Sequence, residues 1–319
     1  MRIVVLDGKT LNPGDNPWSP VEQLGELTVH NGTLPDEVVQ RGSGADVLVI
    51  NKIVLGPAEF SQLPGLKLVA VTATGCDCVD LRAAREHGVG VANVPEYGTN
   101  SVAQFVMAML LHWTSHVAAH ADAVRHGQWR EANAFSFWNM PLHDLTGKSL
   151  GIVGWGRIGR RVGHLARAFG MRLLIHSRRP PEDLPDGARA VSLAELFQTS
   201  DAVSLHCPLT EATRRLVGMD LFSRMKSSAI LINTARGAII DEDALVQALR
   251  DGRPRYAALD VVGREPIEDE HPLLRLENCI VTPHMAWATV EARQRLMSET
   301  AENIRRNMAG QPRNLVPPR

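Results

Sequence analysis

The stretch Ser149–Gly159 constrains the fold of this chain more than any other part of its sequence. Its first half, Leu150–Val153, predicts a short buried parallel strand, and Arg160–Phe169 has the pattern of a helix. Between them, glycines stand at G-x-G-x-x-G spacing at Gly154, Gly156 and Gly159. In this context the first glycine permits a tight turn, the second lets the backbone approach a pyrophosphate, and the third lets the helix pack closely on the strand. Glycines also serve ordinary strand-to-helix turns, so the motif by itself leaves both interpretations open.

Composition excludes several classes of protein. The chain has 319 residues, enough for two domains, and is 44% hydrophobic and 22% charged, as is typical of a globular protein. A formal net charge of −1 gives no basic field for nucleic acid or a membrane surface. The N-terminus begins with a predicted strand instead of a signal peptide, and the apolar run Val102–Trp113 is too short to span a bilayer. We expect a soluble cytoplasmic protein.

The four cysteines do not predict a metal site. Cys76 and Cys78 form a C-x-C pair, but no second pair completes a zinc ligand set. We interpret them, with Cys207 and Cys279, as free thiols and expect no bound metal.

Strands alternate with helices along most of the chain, which predicts parallel sheets covered on both faces. The fold class predicted is α/β, with two Rossmann-like domains that each contain a parallel sheet. The helical pattern Val290–Met308 follows the second sheet and could return to the first domain. The predicted domains are therefore a discontinuous one, residues 1–99 plus 287–319, and a dinucleotide-binding one, residues 100–286.

The region between the two sheets predicts a long apolar helix followed by an aromatic arm. Residues 101–127 have a helical pattern with Ser101 as a candidate N-cap, apolar on almost every face at first. The arm that follows, residues 127–145, is irregular and contains Trp129, Phe135, Phe137 and Trp138. Such a segment packs either across a subunit interface or against its own core.

Three later strands of the second sheet run into polar residues. Ile230–Asn233 leads to Arg236, Ala257–Leu259 leads to Asp260 and Glu265, and Cys279–Thr282 leads to His284. Open α/β sheets bind ligands at these strand ends, so an arginine, a glutamate and a histidine can converge beside a cofactor cleft. Taken singly, they could equally be a surface ion-pair partner, a solvated loop charge and a capping residue.

With these motifs the chain resembles the D-isomer-specific 2-hydroxyacid dehydrogenase family over essentially its whole length. The resemblance is carried by Gly151-x-x-Gly154-x-Gly156-x-x-Gly159, Asn233-Thr-Ala-Arg236-Gly237, Asp260-x-x-x-x-Glu265-Pro266 and Thr282-Pro283-His284. Within the family, Phe137-Trp138 and His284-Met-Ala-Trp287 look like the glycerate dehydrogenase (hydroxypyruvate and glyoxylate reductase) branch. The resemblance implies an NAD(P)-dependent enzyme that reduces a small 2-oxoacid to the D-2-hydroxyacid by hydride transfer.

The resemblance also implies a role for each catalytic residue. Arg236 would bind the substrate carboxylate and polarise the carbonyl, and His284 would be the general acid of reduction. Glu265 would hold the imidazole and favour its protonated form. Backbone N–H groups of Thr74, Gly75 and Cys76 would bind the substrate carboxylate in the smaller domain. Relatives often carry an aromatic residue and an asparagine after that glycine, where this chain has Cys76-Asp77-Cys78.

The cofactor site implied by the resemblance extends beyond the three glycines. Arg157 and Ile158 would lie against the pyrophosphate. Asp260 would face the nicotinamide carboxamide. The remaining cofactor-lining residues would be Cys207, Pro208 and Thr234.

The second strand of the dinucleotide unit predicts the cofactor preference. NAD-binding members end this strand with an acidic residue for the ribose 2′-hydroxyl. Here Met171–His176 is followed by Ser177, Arg178 and Arg179, and no carboxylate occurs until Glu182. Arginines can pair with a 2′-phosphate, and the serine can donate a hydrogen bond to it. We therefore expect NADP(H) to be preferred and NAD(H) to be possible.

Two further hypotheses stay open beside this one. A relative could act on another 2-oxoacid, on formate or on phosphite, although Glu265 argues against formate. A dinucleotide-sensing corepressor is the alternative from a different class of protein. By the same resemblance we expect a homodimer, formed through the apolar helix and the aromatic arm.

Overall fold

The computed structural model describes residues 1–179 and 183–317, so Glu182 lies outside the described residues. The chain divides into two compact units. Unit 1 comprises Met1–Gly98 and Ala288–Arg319, and unit 2 comprises Thr99–Trp287. Each unit is built on its own sheet, and every strand pairing in both sheets is parallel. This architecture confirms the predicted α/β fold class.

The sheet of unit 1 has five strands in the order β2-β1-β3-β4-β5. In chain order its elements are β1 (Arg2–Val5), α1 (Ser19–Glu22), β2 (Glu26–Val29), α2 (Val38–Gly42), β3 (Val47–Ile50), α3 (Pro57–Ser61), β4 (Leu68–Val71), α4 (Leu81–Glu86) and β5 (Gly90–Ala92). The central strands β3 and β4 are buried along their whole length, which explains their unbroken runs of apolar residues. Burying each such side chain stabilises the fold by about 1.5–3 kcal/mol.

The sheet of unit 2 has seven strands in the order β12-β11-β10-β9-β6-β7-β8. Its elements are α5 (Thr99–Ser115), α6 (Val117–Arg125), α7 (Gln128–Ala132), β6 (Ser149–Val153), α8 (Arg157–Ala168), β7 (Arg172–His176), β8 (Arg189–Ala190), α9 (Leu193–Thr199), β9 (Ala202–Leu205), α10 (Met219–Arg224), β10 (Ile230–Asn233), α11 (Glu242–Arg250), β11 (Tyr256–Leu259) and β12 (Cys279–Val281). The order reverses direction at β6, and the glycine turn follows that strand. Such a switch point is where open parallel sheets form a ligand crevice.

The chain returns to unit 1 through α12 (Val290–Met308), which has the bounds that the sequence predicts. Thr289 caps this helix by accepting the backbone N–H of Ala292. Arg293 is 6% exposed and forms a bidentate ion pair with Asp15. Two charge-assisted hydrogen bonds in this planar arrangement tie the helix to the segment that follows β1.

The long apolar helix differs from its prediction in two ways. It begins at Thr99, so Ser101 lies inside the first turn, where it is buried, and is not the N-cap. It also ends at Ser115, because His116 adopts a left-handed conformation with φ 47° before α6 begins. Ala103, Val106 and Leu110 pack into the core of unit 2, so most of the helix's apolar surface is covered within its own unit.

No single helix within residues 1–179 and 183–317 is long and apolar enough to cross a membrane. The bent pair Thr99–Ser115 and Val117–Arg125 passes that test only when its two helices, 53° apart, are taken together.

Candidate active site

The three glycines of the turn after β6 have different surroundings. Gly154 has φ +101°, and an added Cβ would lie 2.7 Å from the backbone of His206 and Cys207. An added Cβ on Gly159 would lie 2.2 Å from the carbonyl oxygen of Gly154. At Gly156 nothing lies within 4 Å of such an atom. The outer two glycines are therefore required by the protein's own packing, and the middle one leaves open space beside the turn.

The helix α8 begins directly after this space. Its first residue is Arg157, its N-cap is Gly156, and its first turn contains no acidic residue. Arg157 is exposed and Ile158 is half-buried. Because the N-cap has no side chain to bond the first N–H groups and the dipole is positive here, this end of the helix suits an anion.

The neighbouring strand ends supply the other predicted cofactor-lining residues. Cys207 and Pro208 follow β9, and burial raises the pKa of the Cys207 thiol, which keeps it neutral. Thr234 follows β10, and its Oγ1 is buried without a hydrogen-bond partner within the described residues. A buried hydroxyl without a partner costs free energy. A polar group of a bound ligand would satisfy it, so Thr234 fits the predicted cofactor site.

The strand β7 ends in the residues predicted to select the cofactor. Ser177 is half-buried, and Arg178 and Arg179 are both exposed. Neither arginine forms an ion pair with any residue in 1–179 or 183–317.

Glu265 and His284 lie together after the adjacent strands β11 and β12. His284 Nδ1 is 2.7 Å from Glu265 Oε2, and both side chains are partly buried, at 23% and 35% exposed. The carboxylate can only accept, so the hydrogen of this bond belongs to Nδ1. The other ring nitrogen, Nε2, forms no hydrogen bond within the described part of the chain. It is therefore the atom that can exchange a proton with a ligand.

Arg236 stands after β10, the next strand of the sheet. The amide of Asn233 shapes this turn, because its Nδ2 donates to the Arg236 carbonyl at 3.0 Å and its Oδ1 accepts the N–H of Ala235 at 3.0 Å. The Arg236 guanidinium donates to the carbonyl of Ala235 at 2.8 Å. The three predicted catalytic residues thus follow three consecutive strands of one sheet.

Asp260 has a structural role that sequence reasoning missed. The residue is 1% exposed, and its carboxylate accepts three hydrogen bonds, from Thr282 Oγ1 at 2.7 Å, Met285 N at 2.9 Å and Ala286 N at 2.8 Å. Burial raises the pKa of this carboxyl, and the three donors oppose that shift. Asp260 thereby holds both sides of the loop that carries His284, and its contact with a nicotinamide carboxamide stays a prediction.

Trp287 also supports His284, because its indole Nε1 donates to the His284 carbonyl at 2.9 Å. His284 has φ 52°, a backbone conformation that is strained for residues other than glycine. The sequence signal for this role is the short spacing from His284 to a tryptophan, which sequence reasoning interprets only as a mark of the branch.

The residues predicted to bind the substrate carboxylate lie in unit 1, after β4. Thr74 Oγ1 donates to the Val94 carbonyl at 3.0 Å, and Asn93 Nδ2 donates to the Thr74 carbonyl at 2.6 Å. These bonds shape the backbone that leads into Gly75 and Cys76. Across residues 1–179 and 183–317, no group of three or more His, Cys, Asp and Glu side chains could hold a metal ion.

Comparison with known proteins gives a consistent result. The family model for the NAD binding domain of D-isomer specific 2-hydroxyacid dehydrogenases matches residues 107–286. A hydroxypyruvate reductase from Blautia hydrogenotrophica is 43% identical over 320 residues, which cover 99% of this chain and 99% of that protein. A glycerate dehydrogenase from Methylorubrum extorquens is 40% identical over 317 residues, with 99% and 98% covered.

Solved structures share the fold over the same length. A protein from Thermus thermophilus has a TM-score of 0.86 at 38% identity, with 99% of this chain and 100% of that chain covered. An acyclic imino acid reductase, solved in complex with NADPH and D-Arg, has a TM-score of 0.86 at 28% identity and the same coverage.

Proposed function

This chain belongs to the D-isomer specific 2-hydroxyacid dehydrogenase family, and we propose that it reduces hydroxypyruvate or glyoxylate with NADPH as the hydride donor. The observation that carries the proposal is the 2.7 Å contact between Glu265 and His284, at the carboxyl edge of a sheet with a glycine turn. The relatives named above are enzymes, which favours turnover over the corepressor alternative.

The residues of unit 2 fit a nicotinamide dinucleotide. The pyrophosphate would lie over Gly156, where the turn leaves open space, and against the first turn of α8. The buried hydroxyl of Thr234 would gain a polar partner. When bound, the cofactor supplies the hydride, and the protein supplies orientation and charge.

In reduction, the protein's own groups bind the substrate and move one proton. Arg236 would hold the 2-oxoacid carboxylate through its planar guanidinium. As the carbonyl carbon accepts a hydride, the carbonyl oxygen would take the proton from His284 Nε2. Glu265 accepts the hydrogen bond from Nδ1 and fixes the orientation of the ring, which leaves Nε2 for that transfer.

The proposal is tested with the purified protein, hydroxypyruvate and glyoxylate as substrates, and loss of NADPH absorbance as the signal. We expect turnover of at least one of them, and D-glycerate as the product from hydroxypyruvate. Pyruvate with NADPH, and phosphite with NADP⁺, serve as comparison substrates for the alternatives within the family. Dinucleotide binding without turnover of any of these would contradict the proposal and favour a sensor.

We propose further that NADPH is preferred over NADH, with Arg178 as the stronger contact to the 2′-phosphate. Arg178→Ala should raise KM for NADPH about tenfold and leave KM for NADH within twofold, because only NADPH loses a charge-assisted hydrogen bond. The difference should shrink at high salt. The matched control is Arg172→Ala, which removes an exposed arginine from the opposite end of the same strand. Equal kcat/KM for the two cofactors in the wild type would contradict this preference.

We also propose a homodimer through the aromatic arm. Trp129, Phe135 and Trp138 are 49%, 96% and 66% exposed in the single chain, and such a group of exposed aromatic side chains is typical of an interface. We expect the mass of a dimer by light scattering at micromolar concentration, and dissociation in Phe135→Asp. Val54→Asp, at a 71% exposed apolar residue of unit 1, should leave the dimer intact. A fully active monomer would rule the proposal out.

A further inference from the structure

The side chain of Glu242 joins two loops of the candidate active site. Glu242 is the first residue of α11, and its Oε1 accepts the backbone N–H of Gly263 at 2.7 Å. Gly263 stands two residues before Glu265 in the loop that follows β11. The first turn of α11 is thus hydrogen-bonded directly to the loop that carries Glu265.

The second oxygen of the same carboxylate faces His271. Glu242 Oε2 is 3.6 Å from His271 Nε2, and both side chains are 22% exposed. His271 Nδ1 accepts the N–H of Leu273 at 3.3 Å, so the hydrogen of a neutral ring must lie on Nε2, toward the carboxylate. Both carboxylate oxygens of Glu242 therefore face donors from the chain that follows β11.

A second contact joins the same two loops at Gly237, the residue after Arg236. An added Cβ at Gly237 would lie 1.9 Å from the carbonyl carbon of Val262 and 2.4 Å from the nitrogen of Gly263. The backbones meet there with no room for a side chain. Val262 in turn donates its N–H to Glu265 Oε1 at 3.3 Å. The segment from Arg236 to Glu242 thus touches the loop of Glu265 at two points: the close backbone approach at Gly237 and the hydrogen bond from Gly263 to the Glu242 carboxylate.

We propose that Glu242 is a positioning residue that sets the placement of Arg236 relative to the Glu265–His284 pair. The inference rests on the proposed function, in which a substrate held by Arg236 must present its carbonyl oxygen to His284. Small errors in that placement lower the rate strongly, because the reacting groups must be held in one geometry. Within the described residues, Glu242 forms no hydrogen bond with the side chain of Arg236, Glu265 or His284, so it acts through the backbone of Gly263.

A simpler role for Glu242 predicts different results for its variants. An acidic residue in the first turn of a helix stabilises it through the helix dipole, and Asp243 beside it is an exposed residue of the same kind. If only the charge of Glu242 matters, Glu242→Asp should have the kcat/KM of the wild type. Glu242→Gln should then lose as much kcat/KM as Asp243→Asn. If the hydrogen bond to Gly263 matters, Glu242→Gln keeps an acceptor of the right length, whereas Glu242→Asp keeps the charge but is too short.

The experiment measures kcat/KM for hydroxypyruvate, the Kd of NADPH and the unfolding temperature for these three variants. We expect kcat/KM to fall about tenfold in Glu242→Asp, about twofold to threefold in Glu242→Gln, and less than twofold in Asp243→Asn. The Kd of NADPH should stay within twofold of the wild type in all three. Wild-type kcat/KM in Glu242→Asp, or an equal loss in Asp243→Asn, would overturn the proposal.

Amide hydrogen exchange at Gly263 separates this proposal from the proposed function. Glu242→Asp should speed exchange at Gly263 about tenfold relative to the wild type, because the N–H loses its acceptor, and Asp243→Asn should not. If the wild type reduces no 2-oxoacid, the proposed function fails, and the exchange data still decide whether Glu242 holds this loop. Unchanged exchange in Glu242→Asp would overturn the positioning role whatever the activity.

Discussion

The first strands of the two sheets occupy equivalent places in the strand order, but different residues follow them: an aspartate follows β1 and a glycine turn follows β6. β1 lies between β2 and β3, and β6 lies between β7 and β9, so each sheet changes direction beside its first strand. After β1 comes Asp7, whose carboxylate accepts the N–H groups of Asn51 at 2.7 Å and Lys52 at 2.6 Å. After β6 comes the glycine turn, where the space over Gly156 is open.

The comparison shows that the strand order creates a crevice in each sheet, and that the residues after the first strand determine whether an anion can bind there. In unit 1 the acid at the switch point repels anions and occupies two backbone donors at the end of β3. In unit 2 glycines and a helix N-terminus leave the equivalent place suited to a phosphate. The same contrast predicts that changes after the two first strands differ in kind: those in the glycine turn after β6 should alter cofactor binding, and a change at Asp7 after β1 should alter stability.

The largest effect is expected from His284→Ala at the edge of unit 2. Its kcat should fall about 10²–10⁴-fold, because the variant lacks the proposed proton donor of the reaction. The unfolding temperature should change little, since the ring is only partly buried and has one side-chain partner. His164→Ala, at an exposed position on α8, is the control and should keep wild-type kcat. Near-wild-type turnover without His284 would remove it from the mechanism.

A second, smaller effect is expected from alanine substitutions in the glycine turn, where Gly156 and Gly159 should respond differently. Gly156 has φ −85°, and the methyl group added in Gly156→Ala would have free space around it. The free energy of unfolding of this variant should therefore be unchanged or slightly higher. Cofactor binding should weaken about tenfold or more, because that methyl group would occupy the place proposed for the pyrophosphate. Gly159→Ala should instead lower the unfolding temperature, since its methyl group meets the Gly154 carbonyl. Unchanged cofactor KM in Gly156→Ala would place the pyrophosphate elsewhere.

The smallest effect concerns the pH dependence of stability in unit 1. Burial raises the pKa of the Asp7 carboxyl above its usual 3.8. The carboxyl therefore binds its proton more tightly in the folded state than in the unfolded state. The free energy of unfolding should therefore fall as pH rises from 3.8 through the raised pKa, and Asp7→Asn should lack that contribution.

Asp46 gives a control of opposite sign for this measurement. Its hydrogen bond with Lys67 lowers the pKa of the carboxyl, so its contribution is present above pH 3.8 and is lost as pH falls through the lowered pKa. Denaturant titrations across this acidic range should show the two variants diverging from the wild type in opposite directions. Parallel behaviour of Asp7→Asn and Asp46→Asn would contradict the assignment of Asp7.

Much of the fold was predictable because its signals are local. Buried parallel strands read as short apolar runs, and glycines and caps mark their ends, so the α/β class and the bounds of α12 followed from the sequence. The edge strand β8 was missed, since two exposed residues give no hydrophobic pattern. The break at His116 was missed because nothing in the neighbouring residues forbids a continuous helix, whereas in the structure His116 has φ 47° and is buried, in ring contact with Tyr256.

The sequence by itself determined the order of the elements, the glycine turn and the presence of an arginine, a glutamate and a histidine after strands of one sheet. Only the tertiary structure decided that Glu265 meets His284 at 2.7 Å, that Asp260 is buried under the histidine loop, and that Glu242 reaches Gly263. The physical reason is that these contacts join residues about 20 positions apart or more. Their distances depend on strand order and burial, which arise when the whole sheet assembles, whereas local propensities act only over a few neighbouring residues.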